Sequence, residues 1–287
     1  RCPEVRLLDN PGLLSSSARN IGIESSTGDF LVVIDGHCEI PSRTYYVDML
    51  DAFARSGADC LGRPQPLDAR NASPLQQAIA AARSSRLGHH PDSFIYSSDE
   101  VDCPAASVAV AYRRRVFDQV GLFDERFDAC EDYELNHRVD QARLKCKLVP
   151  KLTVRYEPRD SLQGLFYQML RYGRGRVRLA RKSGCGISLK SFAPALLVAG
   201  IVLGPLACLA IPALWIAYLT MHSLYVAAVT IAAAAAVTPR FDLRQFLLLL
   251  VVFPTIHFGA GSGLLAELLH GVHVASNRAQ PASVAAA

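Results

Sequence analysis

The chain has 287 residues, with 30 Lys+Arg, 26 Asp+Glu and a net charge of +4. That balance averages two unlike parts: residues 1–160 carry 20 basic and 24 acidic side chains, and residues 161–287 carry 10 basic and 2 acidic ones. With a mean hydropathy of +0.19, such a split describes a water-soluble unit joined to a membrane-resident tail, and it excludes a disordered chain, a small disulfide scaffold and a simple soluble enzyme.

The opening residues RCPEVRLLDN contain neither an initiator Met nor a signal peptide and read as the middle of a longer chain. Phe30–Ile34 is an unbroken apolar run ending at Asp35, the pattern of a strand buried on both faces of a helix-covered parallel sheet. A loop with Gly36 and Pro41 follows. Ser42 then reads as an N-cap, Tyr46/Val47, Leu50 and Phe53/Ala54 as a helical apolar face, and Gly57 as the stop. Ser73-Pro74 opens a helix to about Arg86; Arg113–Val120 is helical and closed by Gly121; Glu131–Ala142 is a further helix and Lys147–Tyr156 a strand. The alternation predicts an α/β sandwich. Eight cysteines are scattered without a CxxC pair, which argues against a zinc site or disulfide framework and for a reducing, cytosolic setting.

Ser161–Lys182 differs in kind. Leu162, Phe166, Met169/Leu170, Val177 and Ala180 share one helical face, and Arg171, Arg174, Arg178, Arg181 and Lys182 lie beside it. This is a basic amphipathic helix suited to an anionic membrane surface, or else an ordinary helix with a solvated face. Three apolar stretches follow at about 192–211, 213–237 and 246–269, each near the ~20 residues that cross a bilayer. The first two meet at Pro212, as a tight turn or as one long kinked span. The basic linker ending at Lys190 and the loop with Arg240 and Arg244 belong on the cytoplasmic side. His222, His257 and Glu267 are single, which suits span ends or protein contacts better than an ion path. Residues 273–287 read as a flexible tail. Positive charge that abuts apolar spans also argues against nucleic acid as a partner.

Two short segments could carry chemistry. Asp35-Gly36-His37 lies at the C-terminal end of the expected buried strand, the edge where open α/β sheets bind ligands. Asp35 and His37, two apart in an extended loop, can share Mg²⁺ or Mn²⁺ that would offset a departing diphosphate, or can form a capped turn. Glu131-Asp132 opens a helix, where carboxylates are favoured by the dipole and where one could also act as a general base.

The order of these pieces adds specificity. SSARNIGIESSTGDFLVVIDGH (15–37) resembles the middle of the nucleotide-binding half of family 2 glycosyltransferases, in which an ARN-type segment precedes a strand ending in an aspartate motif. AYRRRVFDQVGLFDERFDACEDYELNHRV (111–139) resembles their acceptor-side segment with its GxFDE turn and ED pair. Gln168-Met169-Leu170-Arg171-Tyr172 is similar to the QxxRW box, and HFGAGSGLLAELLHG (257–271) to the last membrane segment of membrane-bound members. DGH in place of DxD is most like bacterial exopolysaccharide transferases of the succinoglycan-biosynthesis type.

The resemblance implies a GT-A domain, Rossmann-like and incomplete at its N-terminus (1–160), then an interfacial helix and linker (161–190), about three transmembrane helices (191–272) and the tail. It implies Asp132 as catalytic base beside Glu131; Arg19, Asn20, Asp35, Gly36, Gln168, Arg171 and Tyr172 at the nucleotide sugar; and Asp35 and His37 on a divalent cation, Mn²⁺ or Mg²⁺. Arg171 has a second explanation in membrane contact. The implied activity is inverting transfer from a nucleotide-sugar donor to a lipid-linked or polysaccharide acceptor in exopolysaccharide biosynthesis, at the cytoplasmic face of the inner membrane and against membrane lipid. The rivals are a processive polysaccharide synthase and a catalytically degenerate membrane scaffold. The family's first strand and P-x-Y-N-E-like segment are expected to precede Arg1, and without them nucleotide binding is expected to be weak.

Overall fold

A computed structural model of the chain describes residues 5–89, 94–95, 97–184, 189–238 and 240–269. The expected tail at 273–287 lies outside the described residues, as do Arg1 to Glu4.

The first unit runs α1 (Ser15–Glu24), β1 (Phe30–Val32), β2 (Cys38–Glu39), α2 (Tyr45–Ser56), β3 (Cys60–Gly62), α3 (Pro74–Ser84), a single turn α4 (Ala105–Val108), β4 (Ala109–Arg113), α5 (Arg114–Val120), α6 (Glu131–Gln141), β5 (Cys146–Leu148) and β6 (Arg155–Tyr156). The main sheet has the order β1-β4-β3-β5 and is mixed: β4 pairs antiparallel with β1 and β3, and β3 pairs parallel with β5. β2 and β6 form a separate antiparallel pair. Alternation of side chains places the sheet between two cores. On one face Cys60 and Tyr112 pack with Val116, Phe117, Leu135 and Val139; on the other Leu61 and Ala111 pack with Tyr45, Met49 and Phe53.

Several expectations need correction here. β1 is half-buried and antiparallel to its neighbour, because β4 returns beside it rather than crossing over. The buried stripe of α2 is Tyr45, Met49, Ala52 and Phe53, while Tyr46, Val47 and Leu50 are exposed, so the expected face is off by one residue. Thr44, not Ser42, is the N-cap; Ser42 Oγ instead accepts from the Thr44 N–H in the turn before it. Lys147–Tyr156 is not one strand, since a 3₁₀ turn at Pro150–Leu152 separates β5 from β6. α3 carries the full capping box, with Ser73 and Gln76 bonding each other's backbone N–H.

The second part consists of α7 (Leu162–Ser183), α8 (Leu189–Ala210), α9 (Leu214–Ala236) and α10 (Leu243–Leu269). The last three are long and apolar enough to cross a membrane. A turn at Pro212 separates α8 from α9. α8 and α9 leave Leu203, Leu206, Ile216 and Leu224 exposed, which suits a lipid environment, whereas α10 is the inner helix. α7 gives its apolar face to protein: Leu165 and Met169 join Ile79 of α3 and Val252, Phe253 and Ile256 of α10 in one core. Small residues allow the close approach. A Cβ on Gly173 would come 2.2 Å from the Ala260 carbonyl oxygen, and one on Gly263 2.0 Å from that of Leu170.

Candidate active site

α1 and the first turn of α6 meet at one arginine. Arg19 donates from Nη1 to Glu131 Oε1 at 2.7 Å and from Nη2 to Asp35 Oδ1 at 3.0 Å. Ser15 Oγ also donates to Glu131 Oε1. Glu131 is buried, and its Oε1 accepts from both Arg19 and Ser15. Asp132 beside it has no ion pair among the described residues; its carboxylate accepts only from the Tyr133 N–H, at 2.7 Å. Asp132 opens to solvent, yet the protein around it desolvates the carboxyl and pushes its pKa above the ordinary carboxylate range; the charges of Glu131 and Asp35 add to this and Arg19 opposes it. Of the two carboxylates, Glu131 is ion-paired with Arg19 and Asp132 is not.

The turn after β1 gathers a second cluster. Asp35, His37 and Cys38 place one ligand atom each within 4.8 Å of the others. Carboxylate, imidazole and thiol can together hold one divalent cation, and the softer donors tilt the choice away from Mg²⁺. Cys38 escaped the reading of the sequence, although it directly follows DGH. Gly36 makes the turn that bonds the Cys38 N–H to the Asp35 carbonyl.

The opposite wall comes from α7. Gln168 Nε2 donates to Tyr156 Oη at 3.4 Å and to Tyr172 Oη at 3.3 Å, and the Tyr156 ring stands edge-on to His37 with centroids 4.4 Å apart. Burial raises the phenol pKa of Tyr172, and the charge of Asp132 adds to that. Tyr156 was missing from the expected site because its contacts depend on β6 pairing with β2.

Two expected donor contacts are turned elsewhere. Asn20 donates to the Phe123 carbonyl and accepts from the Phe123 N–H, each at 2.9 Å, so it staples the GxFDE turn to α1. Arg171 donates to the Asp128 carbonyl in the loop leading to α6. Arg178 pairs with both Asp128 and Glu267, and Lys182 with Asp124 and Glu134. The basic side of α7 therefore grips the acidic α/β unit. Gly175 completes the joint: Cys130, the left-handed residue before α6, has its Sγ where a Cβ on Gly175 would come within 2.6 Å.

A family model described as glycosyltransferase like family 2 matches residues 1–175, from the N-terminal segment through Arg19, Asp35 and Asp132 to the Gln168–Tyr172 box. The chain belongs to this glycosyltransferase family. The mixed-sheet α/β unit of the transferase is consistent with GT-A. The family 2 chain is also similar to Succinoglycan biosynthesis protein ExoA of Rhizobium meliloti (strain 1021), 32% identical over 207 residues, which cover 71% of this chain and 61% of that protein. It thus spans about three fifths of the length of this curated relative.

Proposed function

We propose that the protein transfers a sugar, with inversion, from a nucleotide-diphosphate sugar to a lipid-linked or polysaccharide acceptor in exopolysaccharide biosynthesis, at the cytoplasmic face of the membrane. The observation that carries this reading is the contrast within one pair: Glu131 is locked by Arg19 and Ser15, while Asp132, next to it at the helix start, is unpaired and proton-seeking above the usual carboxylate range.

In a single displacement, Asp132 takes the proton of the acceptor hydroxyl as that oxygen bonds to the anomeric carbon. The bond from that carbon to the donor diphosphate oxygen breaks on the opposite face, and the nucleoside diphosphate leaves. Arg19 fixes Asp35 relative to α6. Asp35, His37 and Cys38 would hold a divalent cation, which supplies positive charge to offset the leaving diphosphate. Gln168 and Tyr172 close the wall next to His37 through Tyr156. The similarity to a succinoglycan biosynthesis protein and the three apolar helices support a membrane-associated acceptor.

Asp132→Asn in the full-length enzyme tests the reading. Transfer to acceptor is expected to fall about 10²–10⁴-fold or more, with donor binding nearly intact; retained turnover removes Asp132 from the role. Product length separates one added sugar from a polymer and so decides between this reading and a processive synthase.

A further inference from the structure

Arg83 stands in the last turn of α3, a helix whose Ala78, Ile79 and Ala82 are packed into the same core as α9 and α10. Its guanidinium lies at the edge of that core, between Met169, a member of it, and Tyr172 one turn further along α7. The group lies over the Tyr172 ring at 5.8 Å, and Nη1 donates to the Met169 thioether at 3.3 Å. Nε is buried and has no hydrogen-bond partner. Among the described residues no carboxylate pairs with Arg83. The C-terminal dipole of α3 favours a cation there without neutralising it.

This differs from the treatment of the neighbouring cations. Arg178 and Lys182 each bridge two carboxylates, and Arg171 is bonded to the Asp128 carbonyl. A guanidinium held by a ring face and a sulfur keeps its charge and most of its donors, and a partly buried cation without a counter-ion costs stability unless an anion arrives. Tyr172 and Tyr156, whose phenols both feel the charge of Arg83, link it through Gln168 to the His37 side of the cleft.

We propose that Arg83 is an anion-binding residue of the transfer site that grips a phosphate of a diphosphate group, either the donor's or that of a lipid-diphosphate acceptor entering along the membrane helices. The inference rests on the transferase reading, but its test does not require turnover.

The full-length protein in detergent, its Arg83→Gln variant and its Arg83→Lys variant are titrated with inorganic pyrophosphate, UDP, GDP and farnesyl diphosphate. Thermal melting checks that each variant is folded. Arg83→Gln is expected to weaken at least one diphosphate about tenfold, the loss of a charge-assisted contact of about 1.4 kcal/mol, with partial recovery in Arg83→Lys. Weakening confined to farnesyl diphosphate assigns the residue to the acceptor, and weakening of UDP or GDP assigns it to the donor. Equal affinities in wild type and Arg83→Gln, or no binding of any probe by the wild type, overturn the proposal. A wild type that binds diphosphates through Arg83 but transfers no sugar would instead overturn the transferase reading.

Discussion

Arg19 Nη1 donates to Glu131 Oε1 at 2.7 Å across 112 residues of chain, so the helix that precedes β1 is pinned to the helix start that presents Asp132, the proposed base. The same guanidinium holds Asp35, which makes Arg19 the strut between the proposed cation side and the base side of the cleft. Arg19→Gln leaves a buried carboxylate unpaired. The expected loss is roughly 2–3 kcal/mol of stability, below the ~3–5 kcal/mol of a fully buried pair because Asp35 is half-open to solvent. Chemical denaturation of the two proteins measures it, and an unchanged midpoint would contradict the strut.

The raised pKa of Asp132 has two consequences with opposite signs for activity and stability. A base works only when ionised, so activity falls as pH drops through a point above the ~3.9 of a free aspartate. For stability, the folded state holds the proton more tightly than the unfolded chain, so the contribution is greatest at low pH and is lost as pH rises through the folded pKa. Asp132→Asn is therefore expected to be inactive yet to melt above wild type at neutral pH, with the difference shrinking on acidification. Melting curves at several pH values decide this.

Chelation should abolish transfer, and Mn²⁺ should restore it. Changes around metal ligands alone cost about 10–100-fold in affinity, so His37→Ala is expected to raise the Mn²⁺ concentration for half-maximal activity at least that much. His37→Asp, which rebuilds a second carboxylate beside Asp35, should recover activity and shift the preference toward Mg²⁺. A metal response unaltered by both changes would separate this turn from the cation.

Gly175 and Gly22 give a paired test of packing. A side chain at 175 collides with Cys130 Sγ, whereas nothing lies within 4 Å of one at 22. Gly175→Val is expected to destabilise by about 1–3 kcal/mol and to lower turnover, because the start of α6 must move. Gly22→Ala, inside α1, should stabilise by about 0.5–1 kcal/mol through backbone entropy.

Much of the molecule was legible in local pattern. The α/β unit, the helix opened by Glu131, the capped α3 and three bilayer-length helices follow from periodicity, caps and hydropathy, all properties of neighbours in the chain. Asp35, His37, Asp132, Gln168 and Tyr172 stand out in the sequence because their types and order are distinctive. What local pattern could not supply was pairing across distance. The face that α2 buries depends on which sheet it meets. The role of Asn20 depends on where the 121–125 turn folds back.

The same limit governs the basic helix. Its composition determined that a cationic stripe borders the membrane segment, and it suits an interface with lipid. Only the tertiary structure decided where those charges point, because a salt bridge needs a partner brought near by the rest of the fold. Asp128, Glu267, Asp124 and Glu134 come from two other parts of the chain to meet Arg178 and Lys182. The net charge of +4 thus conceals an acidic unit and a basic helix that are bound to each other.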